Sequence, residues 1–177
     1  RVLAAARPSV PAALLVAIAS STAVFTATPF LLSAVSEEYD VALSTVGWMS
    51  TAQLAGFVIA SWVGGRFLRP VRSIFVIGTV IGVVANLGSA AAPTFELLAL
   101  MRFGSGISLG VAAWIAWQAA FGDTEKTGDV AVVGPLVGVV MSPLIALILE
   151  SVGLSWLFVL LAVITATPLI WMRQVPR

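Results

Sequence analysis

The sequence predicts an all-α, polytopic membrane protein with six transmembrane helices, and three observations predict it. Of 177 residues, 60% are hydrophobic and only 10% charged, where a soluble domain carries ~25% charged residues. Cutting the chain at its charges leaves six apolar segments, each close to the ~20 residues a helix needs to cross ~30 Å of hydrocarbon. The polar breaks between them (SEEYD, GGRFLRPVR, PTFE, GDTEKTGD, ESVG) are short, so consecutive helices must run antiparallel.

The first span, 10–32, follows Arg1 and Arg7. Its apolar stretch exceeds the 7–15 residues of a signal-peptide core and ends in an acidic loop without a small-residue cleavage site, so it reads as a membrane helix. The sequence begins with Arg instead of Met and is expected to be part of something longer. On this span Thr22, Phe25, Thr26 and Pro29 share one face. Membrane Thr side chains usually bond their own backbone; a ligand-facing role stays open beside that.

In the second span, 44–63, Ala52, Gly56, Ala60 and Gly64 recur every four residues. The third, 73–91, carries Gly78 and Gly82; the fourth, 95–121, Gly106 and Gly110; the fifth, 130–149, Gly134, Gly138, Ser142 and Ala146. Such spacing lines one helix face with small residues, through which helices in lipid approach closely. Pro29, Pro135, Pro143 and, in the sixth span, 154–171, Pro168 predict kinks, since each removes a backbone donor. Kinked helices suit a cavity.

Arg1, Arg7, Arg66, Arg69, Arg72, Lys126, Arg173 and Arg177 all fall on one side of this six-span layout, and the opposite loops hold only Glu37, Glu38, Asp40, Glu96 and Glu150. The positive-inside rule puts both termini in the cytoplasm, in a multi-pass inner-membrane protein.

Arg102 is the one charge well inside a span. Holding it there costs about 2.5–3.5 kcal/mol, so it must face the bundle or water. Ser105, Gly106, Leu109 and Ala113 share its face, Trp117 flanks it and Trp114 points elsewhere. Two roles are open: a substrate or proton group, or a brace for neighbouring helices. Gln53, Asn86 and Gln118 are membrane-embedded amides of similarly open role.

The chain has neither Cys nor His. That removes disulfides, thiolate chemistry, common transition-metal ligand sets and His-based triads. The FGSGIS stretch around Ser105 therefore has no conventional base, and no enzyme, cofactor or metal is expected. No basic patch with interleaved aromatics suggests nucleic acid, and no ring of charges suggests a channel.

Three local patterns resemble the major facilitator superfamily. SWVGGRFLRPVRS is similar to its loop signature G-x-L-A-D-R-x-G-R-R, with Arg66 and Arg69 on two of its three arginines and Arg72 just beyond. Ser61 replaces the first Gly, Gly65 stands where an acid is expected, and Leu68 replaces the second Gly. LMRFGSGISLG resembles the fourth-helix pattern R-x-x-Q-G through Arg102 and Gly106, with Ser105 in place of Gln. VVGPLVGVV looks like the antiporter pattern G-P-x-x-G-G through Gly134, Pro135 and Gly138, with Val139 replacing the last Gly.

The resemblance implies the amino-terminal six-helix half of a twelve-helix secondary transporter, built from two inverted three-helix repeats, 10–91 and 95–171. It implies proton-linked efflux of small molecules by alternating access, with a second half or a second copy of this chain as partner, in the lipid bilayer. Helices one and four would line the substrate cavity. That agrees with Thr22, Thr26, Arg102, Ser105 and Trp117 as substrate or proton pathway. Arg66, Arg69 and Arg72 would form a gating loop, and Gly106, Gly134, Pro135 and Gly138 a helix-packing motif. The competing expectation is a self-contained six-span binding module, like the substrate-capturing subunit of an energy-coupling-factor importer.

Overall fold

The computed structural model describes residues 9–177. Its helices are α1 (Ala12–Glu38), α2 (Leu43–Phe67), α3 (Arg72–Ala90), α4 (Phe95–Ala120), α5 (Thr124–Val152) and α6 (Leu154–Ala166), the last continued by a 3-10 segment (Thr167–Gln174). Counting α6 with its extension, all six are long and apolar enough to cross a membrane. No strand occurs among the described residues.

Several helices outrun the apolar windows because polar caps lie beyond the hydrocarbon. Asp123 accepts from the backbone N–H of Glu125 and Lys126 at 3.1 and 3.2 Å, so α5 starts at Thr124. The same Lys126 N–H holds the Asp123 carboxyl below its ordinary range. Thr94 caps α4 by accepting from the Leu97 N–H at 3.4 Å. Gly153, with φ +87°, makes the single-residue turn between α5 and α6, a conformation only glycine adopts without strain. Pro168 stands at the start of the 3-10 segment, where its missing N–H ends regular α-helix.

Hydrogen bonds sort the connections to two ends. At one end Ser9 donates to Asp129 (2.7 and 2.9 Å), the Ala13 N–H donates to Gln174 (3.2 Å), and Arg72 donates to the carbonyls of Arg173 and Val175. The start of α1, the α2–α3 and α4–α5 loops and the final segment therefore lie together. At the other end the Tyr39 hydroxyl donates to Ala92 (2.8 Å), and Glu37 and Glu38 face Glu150 across a surface depression. Burial first, then Glu38, raises the Tyr39 phenol. Arg66, Arg69, Arg72, Lys126, Arg173 and Arg177 thus share one end; Arg1 and Arg7 lie outside the described residues.

The helices meet in a definite pattern. α2 lies along α4 and α5 along α1; α3 packs on α4 and α6 on α1; α3 and α6 touch each other, as do α1 and α4. The α2–α4 contact is the closest, because glycines face backbone there. A Cβ on Gly56 would collide with the Phe103 carbonyl, one on Gly106 with the Gln53 carbonyl and one on Gly110 with the Phe57 carbonyl. Gly78 and Gly82 seat α3 against the side chains of Val111 and Ser108 of α4. On α5 the ladder is slacker: Cβ atoms on Gly134 and Gly138 would stand 3.7 and 3.9 Å from the hydroxyls of Thr22 and Thr26, which is ordinary contact. Much of α5, including Val132, Leu136, Val139 and Val140, is exposed.

Candidate functional site

Arg102 is completely buried. Glycine at position 106, one turn along α4, lets the α2 backbone come close enough for Gln53 to reach the guanidinium. Gln53 Oε1 accepts from Arg102 Nε (3.1 Å) and Nη2 (2.9 Å), and Asn86 Oδ1 of α3 accepts from Nη1 (2.9 Å). Arginine only donates, so both amides must turn their oxygens toward it. Asn86 Nδ2 then donates to Thr165 Oγ1 (3.2 Å), and Thr165 donates to the Leu161 carbonyl (2.7 Å). One chain of polar contacts thereby joins α2, α4, α3 and α6. The Phe158 ring lies 5.4 Å from the guanidinium carbon, within cation–π range.

Neutral groups therefore solvate this charge. The ion pair among the described residues, Lys126 with Asp123 at 3.3 Å, lies at the start of α5, away from Arg102. Ser105 is buried beside Arg102, and its hydroxyl and the Gln53 amide nitrogen have no partner among the described residues.

A separate cavity of about 240 Å³ opens between α1, α2, α4 and α5. Thr22 and Trp117 line it, with Ser21, Phe25, Phe57 and Gly134, and no charged side chain reaches it. Phe25 and Phe57 meet edge to face, centroids 5.4 Å apart at 77°. The α2 backbone at Phe57 is the stretch pressed onto Gly106 and Gly110, so those two glycines set where the Phe57 ring stands. Ser20, Thr28 and Thr79 spend their hydroxyls on the carbonyl four residues back. Thr22 makes no such bond among the described contacts, leaving its hydroxyl available in the cavity.

No family model matches the sequence. Over 143 residues the chain is 30% identical to the multidrug transporter MdfA of Escherichia coli O6:H1 and of Escherichia coli O157:H7, and 29% identical to MdfA of Shigella boydii serotype 4. The matches cover 75% of this chain and 35% of each relative, so the chain matches about a third of the length of these curated relatives. Together with six membrane-length helices, that match carries the likeness to the major facilitator superfamily.

The chain fits one six-helix half of a major facilitator transporter. In that frame the residues singled out from sequence fall into four groups. Thr22 and Trp117 come together in the cavity, while Thr26 lies half-buried one turn along α1, facing Gly138. Arg102 and Ser105 sit in the buried polar core and are not among the residues lining the cavity. In the loop signature Arg66 and Arg69 are exposed, whereas Arg72 is half-buried and holds the final segment. Of the packing motif, Gly106 is clamped between backbones, Gly134 and Gly138 touch only threonine hydroxyls, and Pro135 is exposed.

Three participants escaped the sequence. Thr165 and Phe158 complete the Arg102 surroundings, and Phe57 forms a cavity wall. A signal existed for the amides: with no acid inside any span, a membrane arginine needs neutral acceptors, and Gln53 and Asn86 were available. Nothing local marks Phe57 or Phe158.

Proposed function

We propose that the chain is the amino-terminal half of a secondary transporter that exports small molecules by alternating access, with both termini cytoplasmic. The observation that carries this is the uncharged cavity between α1, α2, α4 and α5, with Thr22, Phe25, Phe57 and Trp117 on its walls. Similarity to relatives named multidrug transporters supports it. So does the contact pattern: exchanging α1 with α4, α2 with α5 and α3 with α6 turns α2–α4 into α5–α1 and α3–α4 into α6–α1. Two inverted three-helix repeats require that exchange.

In this reading a second six-helix half closes the cavity, which then opens to alternate sides as the halves rock. The aromatic walls and the Thr22 hydroxyl contribute this half's share of binding, apolar contact with one or two orienting polar groups. Arg102 is a positioning residue here: it ties α2 to α3 and α6, and so fixes the cavity walls. Coupling to protons needs a titrating acid. No acid lies deep inside a span of this half, Glu96 and Glu150 standing at span ends, so an acid from the remainder of the transporter would serve. The basic end, with the Arg66 to Arg72 loop, faces the cytoplasm.

The test is efflux by full-length protein in cells challenged with a panel of toxic organic compounds. Trp117→Ala should abolish or re-order resistance across the panel at normal levels of folded protein. An unchanged resistance profile for Trp117→Ala combined with Thr22→Val would remove the cavity from the substrate path.

A further inference from the structure

Where α3 begins, the final segment folds back and docks. The Arg72 backbone N–H donates to the Pro176 carbonyl (2.7 Å), and its guanidinium donates through Nε and Nη2 to the carbonyls of Val175 (3.1 and 2.9 Å) and Arg173 (2.6 Å). Between α3 and this segment runs a groove of about 600 Å³ lined by Arg72, Ser73, Val76, Ile77, Met172 and Arg177. Its two halves differ in chemistry. Val76, Ile77 and Met172 form an apolar wall, with Ile77 58% exposed. Arg72 and Arg177 stand at the polar mouth, and Arg72 Nη1 has no partner among the described residues.

The charge at this mouth is one-sided. Arg66, Arg69, Arg72, Arg173 and Arg177 gather at this end. Its acids, Asp123, Glu125 and Asp129, belong to the α4–α5 connection and the start of α5 and do not line the groove, Asp123 being paired with Lys126 and Asp129 accepting from Ser9. A zwitterionic headgroup would bring an ammonium to a site that offers it no carboxylate. A headgroup with net negative charge meets only donors. Basic pockets between membrane helices bind such headgroups on the cytoplasmic side.

We propose that this groove is a binding site for an anionic glycerophospholipid. Its phosphate is held by Arg72 Nη1, Arg177 and the Ser73 hydroxyl, and an acyl chain lies along Val76, Ile77 and Met172. The site is preformed, because Arg72 already fixes the segment that makes its second wall. It lies between α3 and the end of α6, apart from the cavity between α1, α2, α4 and α5, so it stands whether or not that cavity carries substrate.

The experiment places a photoreactive amino acid at Ile77 of the full-length protein in nanodiscs of equimolar phosphatidylglycerol and phosphatidylcholine. Cross-linked lipids are then identified by mass spectrometry. Each arginine at a membrane surface changes anionic-lipid binding by about fivefold. Phosphatidylglycerol should therefore be enriched at least about fivefold over the bilayer ratio. Arg177→Gln, which removes no hydrogen bond among the described residues, should lower that enrichment, and Arg72→Gln/Arg177→Gln should abolish it. The same probe at Val163, exposed on α6, should report the bulk ratio. Cross-linking at the bulk ratio from Ile77, equal enrichment at Val163, or enrichment unchanged in Arg72→Gln/Arg177→Gln would each overturn the site.

Discussion

The α2–α4 and α1–α5 crossings carry the same sequence device, a ladder of small residues at four-residue spacing, and the fold uses it in opposite ways. At α2–α4, Gly56, Gly106 and Gly110 each face a backbone carbonyl that a Cβ would strike. At α1–α5, Gly134 and Gly138 face the side-chain hydroxyls of Thr22 and Thr26 at ordinary distance. The first crossing brings Gln53 within hydrogen-bond reach of Arg102 and is held by it. The second leaves space, and the cavity with Thr22 and Gly134 on its walls lies there. Two crossings related by the proposed repeat exchange have thus diverged into a clamp and a wall, and glycine spacing alone does not distinguish them.

The comparison breaks most visibly at Gly106. Gly106→Val puts branched carbon into the Gln53 carbonyl, and backbone cannot step aside as a side chain can, so the cost should reach or exceed about 3 kcal/mol. Thermal unfolding in detergent should show a large drop or no folded protein at all. A melting temperature within a degree or two of the parent would mean that α2 and α4 are not clamped.

Next in size is Arg102→Ala. The insertion penalty of the charge falls on α4 before the helices associate, so removing it does not favour the assembled bundle. The substitution leaves Gln53 Oε1 and Asn86 Oδ1 buried without their donor, at about 1–3 kcal/mol each. Of the two roles the sequence left open for Arg102, the amide contacts argue for the brace. Melting should fall clearly, and Arg102→Lys should recover only part, because one ammonium cannot reproduce the fork that spans two amides. Undiminished stability of the Ala variant would return Arg102 to a role in proton or substrate handling.

The smallest expected effect is at Gly138. With 3.9 Å of clearance from Thr26, Gly138→Ala should change stability by no more than about 0.5 kcal/mol. A loss comparable to that of Gly106→Val would show that α5 packs as tightly as α2.

The six helices were legible because charges punctuate the chain wherever it leaves the hydrocarbon, and their pairing into antiparallel neighbours followed from loop length. Arg102 was equally visible, being the single charge inside a span. Its role was not, since periodicity placed it on a face with Trp117 without saying what lies opposite. In the structure α4 is wide enough to divide that face: Arg102 and Ser105 turn into the bundle, and Trp117, four turns along, reaches the cavity. Thr165 and Phe57 stayed hidden for a related reason. Each acquires its function from a helix distant in sequence, and a Thr or Phe in a membrane span has nothing local to set it apart.

The central claim is that substrate meets the α1–α5 wall, beside Thr22, while the α2–α4 clamp only holds that wall in place. The most direct measurement is the rate at which a thiol reagent modifies Thr22→Cys in full-length protein freed of other cysteines, with and without a transported compound at saturating concentration. The account predicts that bound compound slows the modification in step with occupancy. A rate that does not change at saturation would contradict it.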